Sequence, residues 1–368
     1  MNFIPVNRPL LIGNEKKYLL EAIDSNWISS DGPMIEEFEQ KFSKSVNRKY
    51  GIAVSNGTAA LEISVKALGI GLGQEVLIPT FTIISCALSV LRNGATPVFV
   101  DCYPDTWNIN IEDLEDKITA KTVAIMPVHI YGLPVDMNPL LKIAQKYGLA
   151  IIEDAAEGHG QTYFGRPCGS FGEISTFSFY ANKHVTTGEG GMIVTDNFDL
   201  AEKCRKLRNL SFEPEKRFVH DDLGWNYRMT NLQAALGLAQ LENLQKTINR
   251  KIVLGSKYQE LLFNTKELQT PIQEREGYKN HYWVFGVILK PELKLKAIQV
   301  MEKLKIMGVG TRPFFWPMHK QPILKEYSKK KMPVAEKISE TGFYLPSGVG
   351  TTDEEIEISS NKLLGILN

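Results

Sequence analysis

Residues 151–160 read Ile-Ile-Glu-Asp-Ala-Ala-Glu-Gly-His-Gly, an apolar run that ends in acidic residues and a histidine. A short apolar run of this kind is typical of a buried strand. In an open parallel sheet, ligands bind outside the carboxyl ends of the strands, so side chains that follow such a strand face bound molecules. A carboxylate at this place could bind a cationic ring nitrogen, or it could cap the turn that follows.

Similar apolar runs alternate with amphipathic segments over the first two-thirds of the chain. This alternation predicts an α/β fold, because it is the pattern of parallel strands joined by crossover helices. Apolar residues at helical spacing mark one helical face from Ile35 to Val46 and another from Leu61 to Leu68. Strands are predicted at residues 51–55, 75–79, 97–100, 123–128, 150–153, 174–179 and 191–195.

The length of 368 residues and a change of pattern near residue 246 both predict two domains. A helix-forming stretch covers residues 241–251, and a strand-like segment at residues 282–289 precedes a helical segment at residues 293–307. The predicted units are a large α/β domain at residues 13–245, a smaller α+β domain at residues 246–368, and an N-terminal arm, residues 1–12, that joins the smaller domain.

Charge and cysteine content argue against several classes of protein. The 42 Lys and Arg residues balance the 42 Asp and Glu residues, so no basic field exists to bind a nucleic acid or an anionic membrane surface. The four cysteines form no C-x-x-C pair, which disfavours a disulfide scaffold or a zinc site and favours the reducing cytoplasm. No metal is predicted. The uncharged run at residues 76–91 is too short to span a membrane and is predicted to form a strand, a loop and a helix.

A small polar turn at residues 54–61, Val-Ser-Asn-Gly-Thr-Ala-Ala-Leu, joins a strand to a helix. Its backbone N–H groups would point outward at the positive end of the helix dipole, where they can bind a phosphate. Gly57 would let an anion approach, and Thr58 would add a hydroxyl. The same residues could also form a simple helix cap.

Residues 175–191 run from an alternating aromatic strand into a polar loop with a single lysine, Lys183, and then into Gly-Glu-Gly-Gly. A lysine beside a sheet and away from other lysines can lose its proton and form a Schiff base, although most lysines are solvated surface charges. A phosphate site, an acid for a pyridinium nitrogen and a Schiff-base lysine together are what pyridoxal 5'-phosphate (PLP) requires.

These motifs resemble the DegT/StrS family of PLP-dependent nucleotide-sugar aminotransferases, and the resemblance covers nearly the whole chain. It implies PLP fold type I, with a large, mostly parallel seven-stranded sheet, a smaller α+β C-terminal domain, and a homodimer with shared active sites. The motifs are Ser-Asn-Gly-Thr at 55–58, Glu-Asp-Ala-Ala-Glu at 153–157, Ser-Thr-Phe-Ser-Phe at 175–179 followed by Asn-Lys at 182–183, Thr-Gly-Glu-Gly-Gly at 187–191, and Asn-Tyr-Arg-Met-Thr-Asn at 226–231.

The resemblance also implies roles for individual residues. Lys183 looks like the catalytic lysine that holds the cofactor and moves a proton, and Asp154 looks like the partner of the pyridine nitrogen. The other implied cofactor residues are Gly57, Thr58 and Ser178 at the phosphate, Asn226 reaching the phosphate of the other subunit, and Glu157 near the phenolic oxygen. Weaker candidates for sugar contacts, which could equally be structural, are His159, Arg228 and His319.

One position departs from the family pattern. Relatives usually place an aromatic residue over the cofactor ring where this chain has Ile83, so either Ile83 covers the ring or Phe81 does. A branch of the family with dehydratase activity has histidine in place of the catalytic lysine. Counting back from Gly188 puts Lys183, and not His184, in that register, which favours an aminotransferase.

Within the family, the likeness is greatest to the branch that aminates GDP-4-keto-6-deoxymannose, with L-glutamate as the expected amino donor. It rests on residues 27–30, 183–191, 220–231 and 312–319. The alternatives are another keto substrate, such as a UDP- or dTDP-linked sugar, a 3-keto sugar or an aminocyclitol ketone, and a non-catalytic regulatory or binding protein on the same fold.

Overall fold

The secondary structure is that of a computed structural model, which describes residues 3–213, 215–216, 218–293, 295–327 and 330–367. The α-helices are α1 (Glu15–Asp24), α2 (Pro33–Ser45), α3 (Gly57–Ala67), α4 (Ser85–Arg92), α5 (Met137–Tyr147), α6 (Phe198–Arg208), α7 (Asn231–Glu242), α8 (Leu244–Leu262), α9 (Ala297–Ile306), α10 (Pro333–Thr341) and α11 (Asp353–Leu367). The strands are β1 (Tyr50–Val54), β2 (Glu75–Pro79), β3 (Thr96–Val100), β4 (Thr122–Ile125), β5 (Ala150–Asp154), β6 (Thr162–Tyr163), β7 (Arg166–Pro167), β8 (Ile174–Ser178), β9 (Gly191–Thr195), β10 (Leu268–Gln269), β11 (Glu274–Arg275), β12 (Tyr278–Lys279), β13 (Phe285–Leu289), β14 (Arg312–Pro313) and β15 (Gly342–Leu345).

Seven strands form the main sheet, in the order β1-β9-β8-β5-β4-β2-β3. Strand β9 pairs antiparallel with both of its neighbours, and the other pairs are parallel. This arrangement confirms the predicted α/β class and the mostly parallel seven-stranded sheet. All seven predicted strands are present. The one predicted at residues 123–128 ends early, at Ile125, and Val128 forms only an isolated bridge to Asp154.

The two predicted helical faces are both buried against this sheet. Phe38 and Phe42 of α2 are almost completely buried, and the Phe42 ring meets Phe177 of β8 edge to face at 4.9 Å. Burial of a large apolar side chain stabilises the fold by roughly 1.5–3 kcal/mol, so this face fixes α2 on the sheet. In α3, Leu61 and Val65 are buried in the same way.

The carboxylate of Glu153, near the end of β5, is completely buried and ties several segments together. It accepts hydrogen bonds from the N–H groups of Gly169, Phe171 and Gly172 at 2.5, 2.8 and 3.2 Å, and from the Ser175 hydroxyl at 2.9 Å. Burial would raise its pKa, but these donors and the ring N–H of His129 hold the pKa of Glu153 below its usual value. The strand end that precedes the predicted site is therefore rigidly held.

A second sheet, in the order β10-β13-β15-β14, lies with α8, α9 and α11 around a separate apolar core. The predicted strand at residues 282–289 begins only at Phe285, because Tyr282 has a left-handed backbone (φ 50°) that a strand cannot contain. The predicted helix at residues 293–307 begins at Ala297, and residue 294 lies outside the described residues.

The N-terminal segment contacts this second region. Ile4 forms a parallel bridge with Val309, and its N–H donates to the Gly308 carbonyl at 2.9 Å. Arg8 forms an ion pair with Glu355 at 2.7 Å. Residues 1 and 2 of the predicted arm lie outside the described residues. The division of the chain between residues 245 and 246 stays a prediction.

The uncharged run at residues 76–91 forms most of β2, a loop and most of α4, as predicted. Among the helices that the structure describes, none is both long and apolar enough to cross a bilayer. All four cysteines are free thiols with buried side chains.

Replacing Glu153 with Gln should destabilise the cofactor-free protein by about 3 kcal/mol, because an amide NH₂ would face donors that need an acceptor. Urea unfolding of the parent and Glu153→Gln proteins measures the difference. The difference in the free energy of unfolding between the two proteins should become smaller in acid. The pKa of Glu153 is lowered in the folded protein, so its carboxylate stops stabilising the fold as the pH falls through that pKa.

The control is Glu202→Gln, which alters an exposed carboxylate paired with Arg205 and should change stability by less than about 0.5 kcal/mol. A Glu153→Gln protein as stable as this control would show that the buried carboxylate does not hold the strand end.

Candidate active site

A cavity of about 340 Å³ opens at the carboxyl ends of the parallel strands. Its walls come from the start of α3, from the segments that follow β2, β5 and β8, and from β14 and β15 of the second sheet. Of the residues predicted from the sequence, the cavity is lined by Gly57, Thr58, Ile83, Asp154, Glu157, Ser178 and Lys183.

Helix α3 begins at the cavity, directly after β1. The side-chain oxygen of Asn56 accepts a hydrogen bond from the N–H of Ala59 at 2.8 Å and so caps the helix. Gly57 and Thr58, which follow the cap, line the cavity at the positive end of the helix dipole. An anion in the cavity could therefore bind at this helix end.

Gly57 and Ser178 approach each other so closely that a larger residue would not fit. A Cβ atom on Gly57 would lie 2.9 Å from Cβ and 3.3 Å from Oγ of Ser178. The hydroxyls of Thr58 and Ser85 lie 2.8 Å apart beside them. Three hydroxyls therefore surround the helix N-terminus, which is an arrangement suited to phosphate oxygens.

Asp154 lies deeper in the cavity, at the end of β5, and is only 1% exposed. Its Oδ1 accepts a hydrogen bond from the N–H of Ala156 at 3.0 Å, and its Oδ2 accepts one from the Cys86 thiol at 3.3 Å. Burial raises the pKa of Asp154, although these donors and the charge of Lys183 oppose the change. A cation at Oδ2 would stabilise the ionised carboxylate.

The amine of Lys183 projects into the cavity, and its side chain is 9% exposed. Such burial excludes the alternative of a solvated surface charge. The Nζ atom lies 3.9 Å from Oε1 of Glu157 and 3.8 Å from the centroid of the Trp283 ring. Burial lowers the pKa of Lys183, and the negative charges of Glu157 and Asp154 oppose this. A buried amine with a lowered pKa can act as a nucleophile or a base.

Glu157 is held by a strained neighbour. Its Oε2 accepts a hydrogen bond from the N–H of Tyr131 at 2.7 Å, and Tyr131 has a left-handed backbone (φ 55°) that is costly for a bulky residue. Burial raises the pKa of Glu157, while the charge of Lys183 lowers it. Glu157 and Lys183 therefore depend on each other for their charged states.

Nearly the whole chain matches a known family. Residues 10–363 match the DegT/DnrJ/EryC1/StrS aminotransferase family. The chain belongs to this family. The predicted resemblance is thus confirmed, and the chain is a PLP-dependent sugar aminotransferase.

Two curated relatives from bacteria are similar over almost their full length. GDP-perosamine synthase of Escherichia coli O157:H7 is 40% identical over 358 residues, which are 97% of this chain and 96% of that protein. GDP-perosamine synthase of Caulobacter vibrioides is 43% identical over 355 residues, 96% of this chain and 95% of that protein.

Solved structures show the same fold. The structure of DesI with its TDP-sugar product has a TM-score of 0.92 and 31% identity, over 100% of this chain and 93% of that one. The aminotransferase TlmJ from Streptoalloteichus hindustanus has a TM-score of 0.92 and 27% identity, over 99% of both chains. These likenesses agree with the predicted PLP fold type I.

The cavity of this aminotransferase fits the cofactor of its family. The space beside Gly57, which a Cβ atom would fill, suits the phosphate and is called the phosphate cradle. The buried carboxylate of Asp154 suits a protonated ring nitrogen, and the amine of Lys183 suits the aldehyde carbon. Each of these assignments is still a prediction at the level of the single residue.

Four predicted residues lie outside the cavity. His159 lies among the rings of Phe42, Phe177 and Phe179, where its Nδ1 accepts a hydrogen bond from a backbone N–H at 3.3 Å and burial lowers its pKa to about 3. This environment is that of a structural histidine. The Nδ1 atom of His319 is hydrogen-bonded to the Thr80 hydroxyl at 2.7 Å. Its Nε2 atom lies 3.1 Å from Oε1 of Glu336 in helix α10.

Asn226 and Arg228 also lie outside the cavity of their own chain. The guanidinium of Arg228 donates to Oδ1 of Asn226 at 2.9 Å and to Asn209 at 3.0 Å. Arg228 lines a separate, basic pocket together with Arg205 and Arg208.

The two candidates for covering the cofactor ring differ in position. Ile83 lines the cavity and is 44% exposed. Phe81 is completely buried, with its ring centroid 5.8 to 5.9 Å from those of Tyr131, Phe314 and Phe315. Of the two, only Ile83 can therefore meet a ligand in this conformation.

Sequence reasoning missed several residues of the cavity. Arg312 and Phe315 belong to a stretch that carries the family likeness, so that stretch could have suggested them. No local pattern marks Trp283 or Tyr344. The cavity-lining residues without a predicted role are Asn56, Leu61, Ser85, Val128, Ala156, Tyr180, Asn182, Glu189, Trp283, Arg312, Phe315 and Tyr344.

Among the described residues, one cluster has side chains of the kinds that bind metal ions: His129, Glu153 and Cys168. The Nδ1 atom of His129 accepts a hydrogen bond from the N–H of Val135 at 3.1 Å, so its other nitrogen carries the proton and donates to Glu153 at 2.9 Å. Both ring nitrogens are thereby engaged, which leaves no imidazole lone pair for a metal.

The Gly57→Ala variant should bind PLP about tenfold more weakly, because the added methyl group would displace Ser178 from the phosphate cradle. Quenching of tryptophan fluorescence during titration of the cofactor-free protein measures the affinity. The control is Gly365→Ala in α11, where a Cβ atom would meet nothing within 4 Å. Equal affinities for the two variants would contradict the assignment of the cradle.

Proposed function

We propose that this aminotransferase converts GDP-4-keto-6-deoxy-D-mannose to GDP-perosamine, with L-glutamate as amino donor, for the synthesis of a surface polysaccharide. The supporting observation is that three relatives named GDP-perosamine synthase are 39–43% identical over 96–99% of the chain. The four free thiols favour the cytoplasm as its compartment.

The buried charges support a proton-transfer site. PLP, when bound, supplies an electron sink for the electron pair left on the carbon that loses its proton. Asp154, at the bottom of the cavity, would keep the ring nitrogen protonated, because a buried carboxylate favours a cation beside it. Lys183 would hold the cofactor covalently and afterwards carry the proton between the cofactor and substrate carbons.

Glu157 supports this division of roles. It lies 3.9 Å from the Lys183 amine, so its charge favours the ammonium form whenever that amine is free. Its second oxygen is held by the Tyr131 N–H, which prevents the carboxylate from turning away.

The second sheet would provide the binding surface for the acceptor. Arg312 on β14 lies directly opposite Tyr344 on β15, and both line the cavity with Phe315. An arginine fork can bind phosphate oxygens, and aromatic faces can cover a sugar or a base. A sugar bound between this surface and the parallel-strand ends would have its ketone near Lys183.

We also propose a homodimer in which Asn226 reaches the phosphate site of the other subunit. Asn226 is exposed and lies outside the cavity of its own chain. The side chains of Leu20, Ile23 and Trp27 in and after α1 are about half exposed, as expected for a surface that a second copy covers.

A second candidate acceptor is a dTDP-linked keto sugar. It is favoured by the 31% identity to DesI, a structure determined with a TDP-sugar product. A non-catalytic role is disfavoured, because the buried Lys183 and Asp154 meet in one cavity.

A panel of GDP-, UDP- and dTDP-linked keto sugars, each offered with L-glutamate and PLP, tests the proposal. We expect amino-sugar product, detected by mass spectrometry, to form fastest from GDP-4-keto-6-deoxy-D-mannose. The Lys183→Ala variant should be at least a hundredfold slower, because the proton carrier is lost. The control, Lys246→Ala, removes an exposed lysine and should react like the parent.

Faster turnover of a dTDP-linked sugar would replace the proposed acceptor with the second candidate. Turnover of Lys183→Ala within tenfold of the parent would remove Lys183 from the chemistry.

Mixing inactive subunits tests the shared site. Dimers of Lys183→Ala chains should be inactive because the lysine is lost. Dimers of Asn226→Asp chains should also be inactive, because the new carboxylate would repel the phosphate. A purified heterodimer would contain one doubly damaged site and one intact site, because a two-fold interface exchanges the same residues in both directions. Its activity should return towards half of the parental value.

The control is a heterodimer of two differently tagged Lys183→Ala chains, which should stay inactive. If both single variants are inactive and the mixed heterodimer shows no recovery, Asn226 serves its own subunit.

A further inference from the structure

Trp283 reaches from the second region of the fold into the cavity and presents its indole face to Lys183. The Nζ atom lies 3.8 Å from the ring centroid. Trp283 is 5% exposed, and at this distance no water molecule fits between the amine and the ring. A desolvated ammonium over an indole face is the strongest form of cation–π contact in proteins.

Trp283 is held by one hydrogen bond at its ring and another at its backbone. Its Nε1–H donates to the carbonyl oxygen of Asn182, the neighbour of Lys183, at 2.9 Å. The backbone carbonyl of Trp283 accepts a hydrogen bond from Nζ of Lys251 at 3.1 Å. Lys251 lies on α8, is 1% exposed, and also donates to the Ser347 carbonyl.

We propose that Trp283 is a positioning residue that holds the free amine of Lys183 in its charged form against the indole face. The proposal rests on the proposed role of Lys183 as the lysine that alternates between a bond to the cofactor and a free amine. In the free state, a long flexible side chain would otherwise have many rotamers. The indole restricts the amine to the side of the cavity where Glu157 lies.

Other charged groups also face this amine. Glu157 and Asp154 favour the ammonium form, and the charged side chains of Glu189 and Arg312 also line the cavity. His159 lies outside the cavity and is uncharged, because burial lowers its pKa to about 3. The contribution of the indole must therefore be separated from that of the two carboxylates. Truncating Trp283 would not achieve this, since water entering the space would change the solvation of Lys183.

Fluorinated tryptophans separate the two contributions, because fluorine withdraws charge from the ring face and hardly changes its shape. The protein is produced with tryptophan and with mono-, di- and trifluorotryptophan, and the cofactor is removed. The pKa of Lys183 is then measured from the pH dependence of its modification by an amine-reactive reagent, followed by mass spectrometry of the peptide that contains it.

We expect the pKa of Lys183 to fall stepwise with fluorination, by about one unit in total. The matched control is the Trp283→Phe protein labelled in the same way, in which fluorination of the remaining tryptophans should leave the pKa of Lys183 unchanged. A constant pKa across the series in the parent protein would overturn the proposal. An equal fall in the control would also overturn it, because the effect would then come from another tryptophan.

This measurement uses cofactor-free protein and no sugar. A wrong assignment of the acceptor would therefore leave its outcome unchanged, and a failure here would leave the sugar panel unaffected.

Discussion

The buried carboxylate of Glu153 is the interaction on which the rest of the site depends. It gathers N–H groups from Gly169, Phe171 and Gly172 and fixes β5 against β8 at the point where the chain leaves the sheet. Asp154 is the next residue, and its position in the cavity follows from that of Glu153. Leaving such donors unpaired costs about 1–3 kcal/mol each, so the carboxylate has few alternative arrangements.

The charged groups within the cavity influence one another's pKa values. Lys183 is attracted by Glu157 and Asp154, and each carboxylate would have a higher pKa without it. The Cys86 thiol and the Ala156 N–H each donate a hydrogen bond to a different oxygen of Asp154. Such a site is preorganised for charge transfer, because its dipoles do not have to reorganise when a proton moves.

The sequence predicts the first sheet well because its strands are uninterrupted apolar runs separated by amphipathic helices. The residues that follow those strands, among them Asp154, Ser178 and Lys183, reach one cavity because parallel strands end at one edge. Trp283, Arg312 and Tyr344 were not predicted, since their place depends on how the second sheet meets the first. Local periodicity also cannot tell a histidine that faces a cavity from one that lies behind it, and His159 is of the second kind.

Tyr131 connects the two regions of the fold mechanically. Its backbone N–H holds Glu157, and its hydroxyl accepts a hydrogen bond from the N–H of Phe315 at 3.2 Å. Its left-handed backbone leaves little freedom to absorb a displacement. A shift of the segment that carries Phe315 would therefore reach, through Tyr131, the carboxylate beside Lys183, and a ligand that moved this segment would change the electric field around the amine.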